Sequence, residues 1–178
     1  MTTVVAPNVD IEVTRPLRVG LQLANDQWIE LTDDTDGDVA GRQRTVRIQA
    51  VDLRDACHKS AAVRAESAAR GEREVSVLVD IEVMIHEDAR SAREALHGLS
   101  DSWSAPHRKS LAYVGTVNGL AGLIADIHVL RIADGVTLVP LAAPVIERIV
   151  DMVLPQLETM GFDAASASID LVRQTRSA

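Results

Sequence analysis

The run Val75–Ile85, VSVLVDIEVMI, constrains this chain more than any other segment. Strand side chains alternate with a period of two, so Val75, Val77, Val79, Ile81, Val83 and Ile85 share one side. The other side carries Ser76, Leu78, Asp80, Glu82 and Met84. The aliphatic side must be covered, and the flanking segments predict helices that can cover it. Leu53–Arg70 is Ala-rich, follows Asp52 as an N-cap with Asp55 three residues on, and stops at Gly71, a residue suited to the left-handed position after a helix. His86-Glu87-Asp88 opens a second helix, Ala89–Leu99, in which Ala92, Ala95, Leu96 and Leu99 form one stripe. Helices of this length alternating with strands imply parallel β-α-β units. The mixed composition of the second side predicts helices on one side of the sheet only.

The remaining segments extend this pattern. Leu17–Leu23 and Thr45–Val51 read as strands, and Gln27–Leu31 as a single helical turn inside a polar, acidic stretch. Leu111–Val114 reads as a short strand, and Gly115-Thr116 starts a helix from about Val117 to Arg131. Asp134-Gly135 turns into a strand, Val136–Leu141. Pro144 then heads a helix whose Ile146, Ile149, Val150, Val153, Leu157 and Met160 share a face, with a disturbance expected at Pro155 and a stop at Gly161. Residues 1–15 read as an extended arm, 101–110 as a polar linker and 163–178 as a fraying tail. The reading is one α/β domain over residues 1–178.

Charge and composition exclude several classes. With 18 basic and 26 acidic residues the formal charge is -8, which disfavours nucleic acid and anionic membrane surfaces as partners. Aromatic residues are confined to Trp28, Trp103, Tyr113 and Phe162, too few to build stacking platforms for single-stranded nucleic acid. Cys57 is the only cysteine, so the chain has neither an internal disulfide nor a Cys-based zinc site. There is no apolar run of membrane-spanning length and no basic n-region followed by an apolar stretch, so a reduced, cytoplasmic setting is expected.

Motifs that would carry chemistry are few in this sequence. Thr32–Asp38, TDDTDGD, has closely spaced carboxylates. Counted with Gly37 in the sixth position of a calcium loop, it places Thr32 first and Gln43 twelfth, where carboxylates are needed, so no metal site is assigned. The five histidines form no HExxH or HxH pattern. His86 stands out by position alone, at the C-terminal end of a long strand, where parallel α/β proteins place their chemistry. Asp80 and Glu82 share one side of that strand, as an acid–base pair would, or as residues facing solvent or an arginine would. GxSxG, P-loop and GxGxxG patterns are absent.

Four elements in order resemble the C-terminal part of the luciferase-like, flavin- or deazaflavin-dependent monooxygenases. They are VLVDIEVMIHEDARSAREAL (Val77–Leu96), the YVGT of Tyr113–Thr116 at a helix start, the Asp134-Gly135 strand through Pro140, and MVLPQLETMG (Met152–Gly161). A looser likeness at Arg15–Val19 and Val46–Ala50 extends the resemblance to about residues 15–162. Two places depart from the family. Thr116 is followed by Val-Asn-Gly where relatives often have Pro-Glu-Glu, and Leu23-Ala24-Asn25-Asp26 stands near the usual phosphate loop without Gly or Ser.

The resemblance implies a partial, truncated TIM-type barrel built from parallel β-α-β units. It implies FMN or deazaflavin as cofactor, or none in a relative that has lost catalysis. An incomplete barrel leaves edges and an inner face to be covered. The expected partner is therefore a second copy, in a homo-oligomer such as a dimer, or a complementary barrel-half chain. Two functions follow: a non-catalytic flavin-binding or structural subunit, or a monooxygenase whose pocket oligomerisation completes. Any pocket should lie at the C-terminal strand ends, at Gln22, Gln49, His86 and Pro140, to which no catalytic roles are assigned.

Overall fold

The computed structural model describes residues 16–23, 26–32, 44–72, 75–99, 110–162 and 165–176. The predicted arm, most of the acidic loop with its calcium-like spacing, the 101–110 linker except Ser110, and His107 and Trp103 lie outside these residues. The strands are β1 (Arg18–Gln22), β2 (Trp28–Glu30), β3 (Thr45–Ile48), β4 (Ser76–His86), β5 (Leu111–Thr116) and β6 (Gly135–Pro140). The helices are α1 (Leu53–Ala69), α2 (Ala89–His97), α3 (Val117–Val129), α4 (Ala143–Arg148), α5 (Leu154–Thr159) and α6 (Ser166–Arg176). The strands form one sheet, mostly parallel, that curls into a half-barrel with alternating β-α units, a partial TIM-type arrangement.

Strand β4 organises the sheet. Along one side it pairs with β6, from Leu78↔Gly135 to Val83↔Pro140. Its other side is shared end to end by two strands, β3 against Ser76–Val79 and β5 against Ile81–His86. Beyond β6 lie β1, parallel, and β2, antiparallel and linked to β1 by a hairpin. Strands of a complete eight-stranded barrel neighbour one another in chain order; here β6 stands between β1 and β4.

Register assigns each residue to a face. Val77, Val79, Ile81, Val83 and Ile85 of β4 lie alongside Val19, Leu21, Val136 and Leu138, and all are fully buried. They join Ala56, Leu120, Ile124, Ile127, Val145, Ile149, Val153 and Leu157 of the helices in one hydrophobic core. The caps follow the sequence signals. Asp52 accepts the Asp55 N–H, Asp88 accepts those of Arg90 and Ser91, and Thr116 accepts that of Gly119. Gly71 and Gly161 end their helices at φ 63° and 91°, values costly for any residue with a Cβ.

Four expectations are corrected. Gln27–Leu31 is not a helical turn: Trp28–Glu30 pairs with β1, because alternation places Ile29 in the core and Trp28 and Glu30 on the polar face. Both faces of β4 are covered: Ser76, Leu78, Asp80 and Met84 are buried along with the aliphatic side. Arg47 explains part of this, since it stands beside Leu78 in register and reaches on to Asp80, so its aliphatic stem runs past Leu78. Strand β5 runs to Thr116 rather than ending at Val114, because β4 continues beside it to His86. Ser166–Arg176 is a helix rather than a fraying tail: Val172 is buried, α6 packs on β2, and Ala165 N–H bonds Leu31 O at 2.8 Å.

The disturbance expected at Pro155 is a π-turn, Ile149–Val153, between α4 and α5. Proline has no N–H to give the preceding turn and its ring crowds the carbonyl four residues back, so the wider turn relieves both. Among the described residues no helix is long and apolar enough to cross a membrane.

Candidate functional site

The polar side of the sheet is where chemistry could occur, and register defines its members. Arg18, Gly20 and Gln22 of β1 lie beside Trp28 and Glu30 of β2 and Gly135 and Thr137 of β6. Leu78, Asp80 and Glu82 of β4 continue the same face, followed by Thr45 and Arg47 of β3.

Both arginines on this face are tied to carboxylates. Arg18 holds Glu30 with two hydrogen bonds, Nε to Oε1 at 2.5 Å and Nη2 to Oε2 at 2.6 Å, and its Nη1 donates to Thr45 Oγ1 at 2.7 Å. Arg47 forks onto Asp80 at 2.9 and 3.0 Å and donates its remaining nitrogen to Gln22 Oε1 at 2.6 Å. Bidentate pairing of this kind matches the planar guanidinium to the carboxylate and fixes both side chains. The Asp80 side chain is 11% exposed, so its charge depends on Arg47 for solvation. Between the two pairs, Trp28 lies over Gly20 and donates Nε1–H to Thr137 Oγ1 at 3.3 Å, reaching across β1 to β6.

The four residues singled out from sequence do not form one pocket. Gln22 joins the Arg47–Asp80 pair. Gln49 follows β3, is exposed, and its carbonyl accepts Lys59 Nζ at 2.8 Å. Pro140 pairs with Val83 and so belongs to the aliphatic side. His86 is on the same face as Asp80 but six residues along β4, roughly 20 Å away at the usual strand rise. There it stands opposite Thr116, the N-cap of α3, and its Nδ1 is buried without a hydrogen-bond partner among the described residues. Of the open readings of Asp80, the arginine partner is the one found.

Sequence reasoning missed Arg18, Trp28, Glu30, Arg47 and Thr137. The signal was available: Arg47 alternates with Val46 and Ile48, and Trp28 and Glu30 flank Ile29, as in a half-buried strand. The resemblance-bearing YVGT also has a physical basis. Tyr113 Oη donates to Thr116 O at 3.1 Å and lies under the start of α3, where it fills the space a Cβ on Gly119 would need.

No family model matches the chain, and no curated protein matches it. Solved structures do. A long-chain alkane monooxygenase, LadA, superposes with a TM-score of 0.56 at 16% identity, over 68% of this chain and 38% of that one. An EDTA monooxygenase, EmoA, from Chelativorans sp. BNC1, superposes with a TM-score of 0.54 at 16% identity, over 67% of this chain and 40% of that one. The chain thus spans less than half the length of either neighbour. At this identity the likeness shows a shared fold over the matched residues and nothing further.

Proposed function

We propose that this chain is a luciferase-like half-barrel subunit that has no catalysis of its own and pairs with a second copy or with a complementary chain. The observation that supports this reading is the pairing of Arg18 and Arg47 with carboxylates of the inner face. Arg18 is spent on Glu30 and Thr45, and Arg47 on Asp80 and Gln22.

A flavin mononucleotide or a deazaflavin would need a place for its phosphate, and the described residues where the resemblance puts it do not fit one. Where the resemblance puts the phosphate loop, Leu23 N–H bonds Gln27 O at 2.8 Å and closes the β1–β2 hairpin. Asp26, at φ 61°, adds a negative charge there. Phosphate sites depend on convergent N–H groups at a helix N-terminus or on free cations, and the described residues there, Leu23, Asp26 and Gln27, supply neither. No step through a flavin is therefore derived.

Calorimetric and fluorescence titration with FMN and with a deazaflavin tests the reading, together with light scattering. No binding of either cofactor and an oligomer in solution are expected. Turnover of reduced flavin with oxygen and an aldehyde would overturn the non-catalytic reading. It would favour the second one, a flavin-dependent monooxygenase whose site oligomerisation completes, for which the support is that both solved neighbours are monooxygenases.

A further inference from the structure

We infer that α6 is a strap that lifts on its own while the sheet and the other helices stay folded. This is independent of the pairing proposed above.

The hydrogen bonds where the strap begins point to it. Leu31 N–H bonds Val19 O at 2.6 Å, and two residues that face each other this way across an antiparallel ladder ordinarily exchange a second bond, Val19 N–H to Leu31 O. Here that second bond is divided. Val19 N–H donates instead to Thr32 Oγ1 at 3.0 Å, and Leu31 O accepts the N–H of Ala165, the residue before α6, at 2.8 Å. When α6 lifts, Leu31 O therefore has a donor close by in Val19 N–H, and no buried carbonyl is left unpaired. Thr32 keeps that donor occupied while the strap is down.

The hold of α6 is also slight. Among its described side chains Val172 is buried, as is Ala165 just before it, whereas Ile169 is half-buried and Leu171 is exposed. In α3, by contrast, Leu120, Ala121, Ile124, Ala125 and Ile127 are all buried. Arg173 pairs with Asp151 at 2.8 Å, but both partners are exposed, and such pairs contribute little. Elements held by few buried apolar contacts open well below the free energy of global unfolding. Lifting α6 uncovers Leu31 and opens the groove that Ile169 lines together with Val150 and Leu154.

Hydrogen exchange of the intact chain, resolved to single amides, tests this. Amides 171–173 are expected to exchange faster than those of β4 and β6 and to respond weakly to denaturant, because lifting a strap exposes little surface. Gly122→Ala stabilises α3 whether the strap is up or down, so it should slow exchange in β4 and β6 about fivefold and leave α6 unchanged. Thr32→Val removes the competing acceptor and should quicken α6 exchange about fivefold, the worth of one hydrogen bond. Amides of α6 that exchange at the rate of those in β4, or that slow with them in Gly122→Ala, overturn the strap. Exchange in α6 that is unchanged by Thr32→Val overturns the donor exchange on which its release depends.

Discussion

The indole of Trp28 occupies the space that a side chain on Gly20 would fill. A Cβ built on Gly20 would stand 2.6 Å from Trp28 Cε2 and closer still to Nε1. Gly20 is diagonal to Trp28 across the β1–β2 ladder and directly beside Thr137 of β6, so the ring crosses β1 to bond Thr137 Oγ1. Gly20→Ala should therefore displace the ring and break that bond, at a cost of about 1–3 kcal/mol typical of overpacking. Chemical denaturation measures the loss. Trp28→Leu in the Gly20→Ala background should remove most of the added penalty, and a penalty unchanged there would refute the contact.

The Arg47–Asp80 pair calls for a double-mutant cycle. Arg47→Met strands a carboxylate that is 11% exposed and should destabilise by about 1–3 kcal/mol. Asp80→Leu with Arg47→Met leaves no orphaned charge and should cost less than Arg47→Met alone. Urea unfolding of the single and double variants gives the comparison. A double variant as unstable as the sum of the two singles would show that the pair is not coupled.

Gly119 and Gly122 lie in the same helix and should respond in opposite directions. Nothing lies within 4 Å of a Cβ built on Gly122, so Gly122→Ala should stabilise α3 by about 1 kcal/mol through helix propensity. A Cβ on Gly119 would run into Tyr113 Oη, with Cζ at 3.2 Å, so Gly119→Ala should destabilise despite the better propensity. Tyr113→Phe removes the hydroxyl and should make Gly119→Ala better tolerated. Thermal melting of the four variants decides this.

Asp88 gives α2 an acid-sensitive start. Its carboxylate accepts the Ser91 N–H, the Ser91 hydroxyl and the Arg90 N–H, which hold its pKa below the ordinary value of 3.8. A depressed pKa contributes stability that is fully present above the unfolded value and is lost as pH falls through the folded one. Unfolding measured from pH 6 down to pH 2 should show this loss below about pH 4. Asp88→Asn keeps an N-cap acceptor and should flatten that part of the profile, whereas Asp88→Ala should lower stability at neutral pH as well.

Much of the fold was legible because its signals are local. Alternation in Val75–Ile85 fixed the central strand to within a residue, and Asp52, Asp88 and Thr116 marked helix starts through bonds that span only a few positions. The site was less legible. His86, Gln49 and Pro140 were chosen as strand ends, but strand ends on different faces and at different heights do not converge. The polar cluster instead joins residues 12, 33 and 109 positions apart, as in Arg18–Glu30, Arg47–Asp80 and Trp28–Thr137.

By itself, the sequence determined which segments are strands and helices wherever periodicity and caps act within one turn or one strand, and it determined the acidic, aromatic-poor character of the whole. The tertiary structure decided that β6 inserts between β1 and β4, that Trp28–Glu30 extends the sheet, and that the inner arginines are neutralised by Glu30 and Asp80. The reason is physical. Register and strand order depend on how several faces bury their apolar side chains together, and no single segment carries that information.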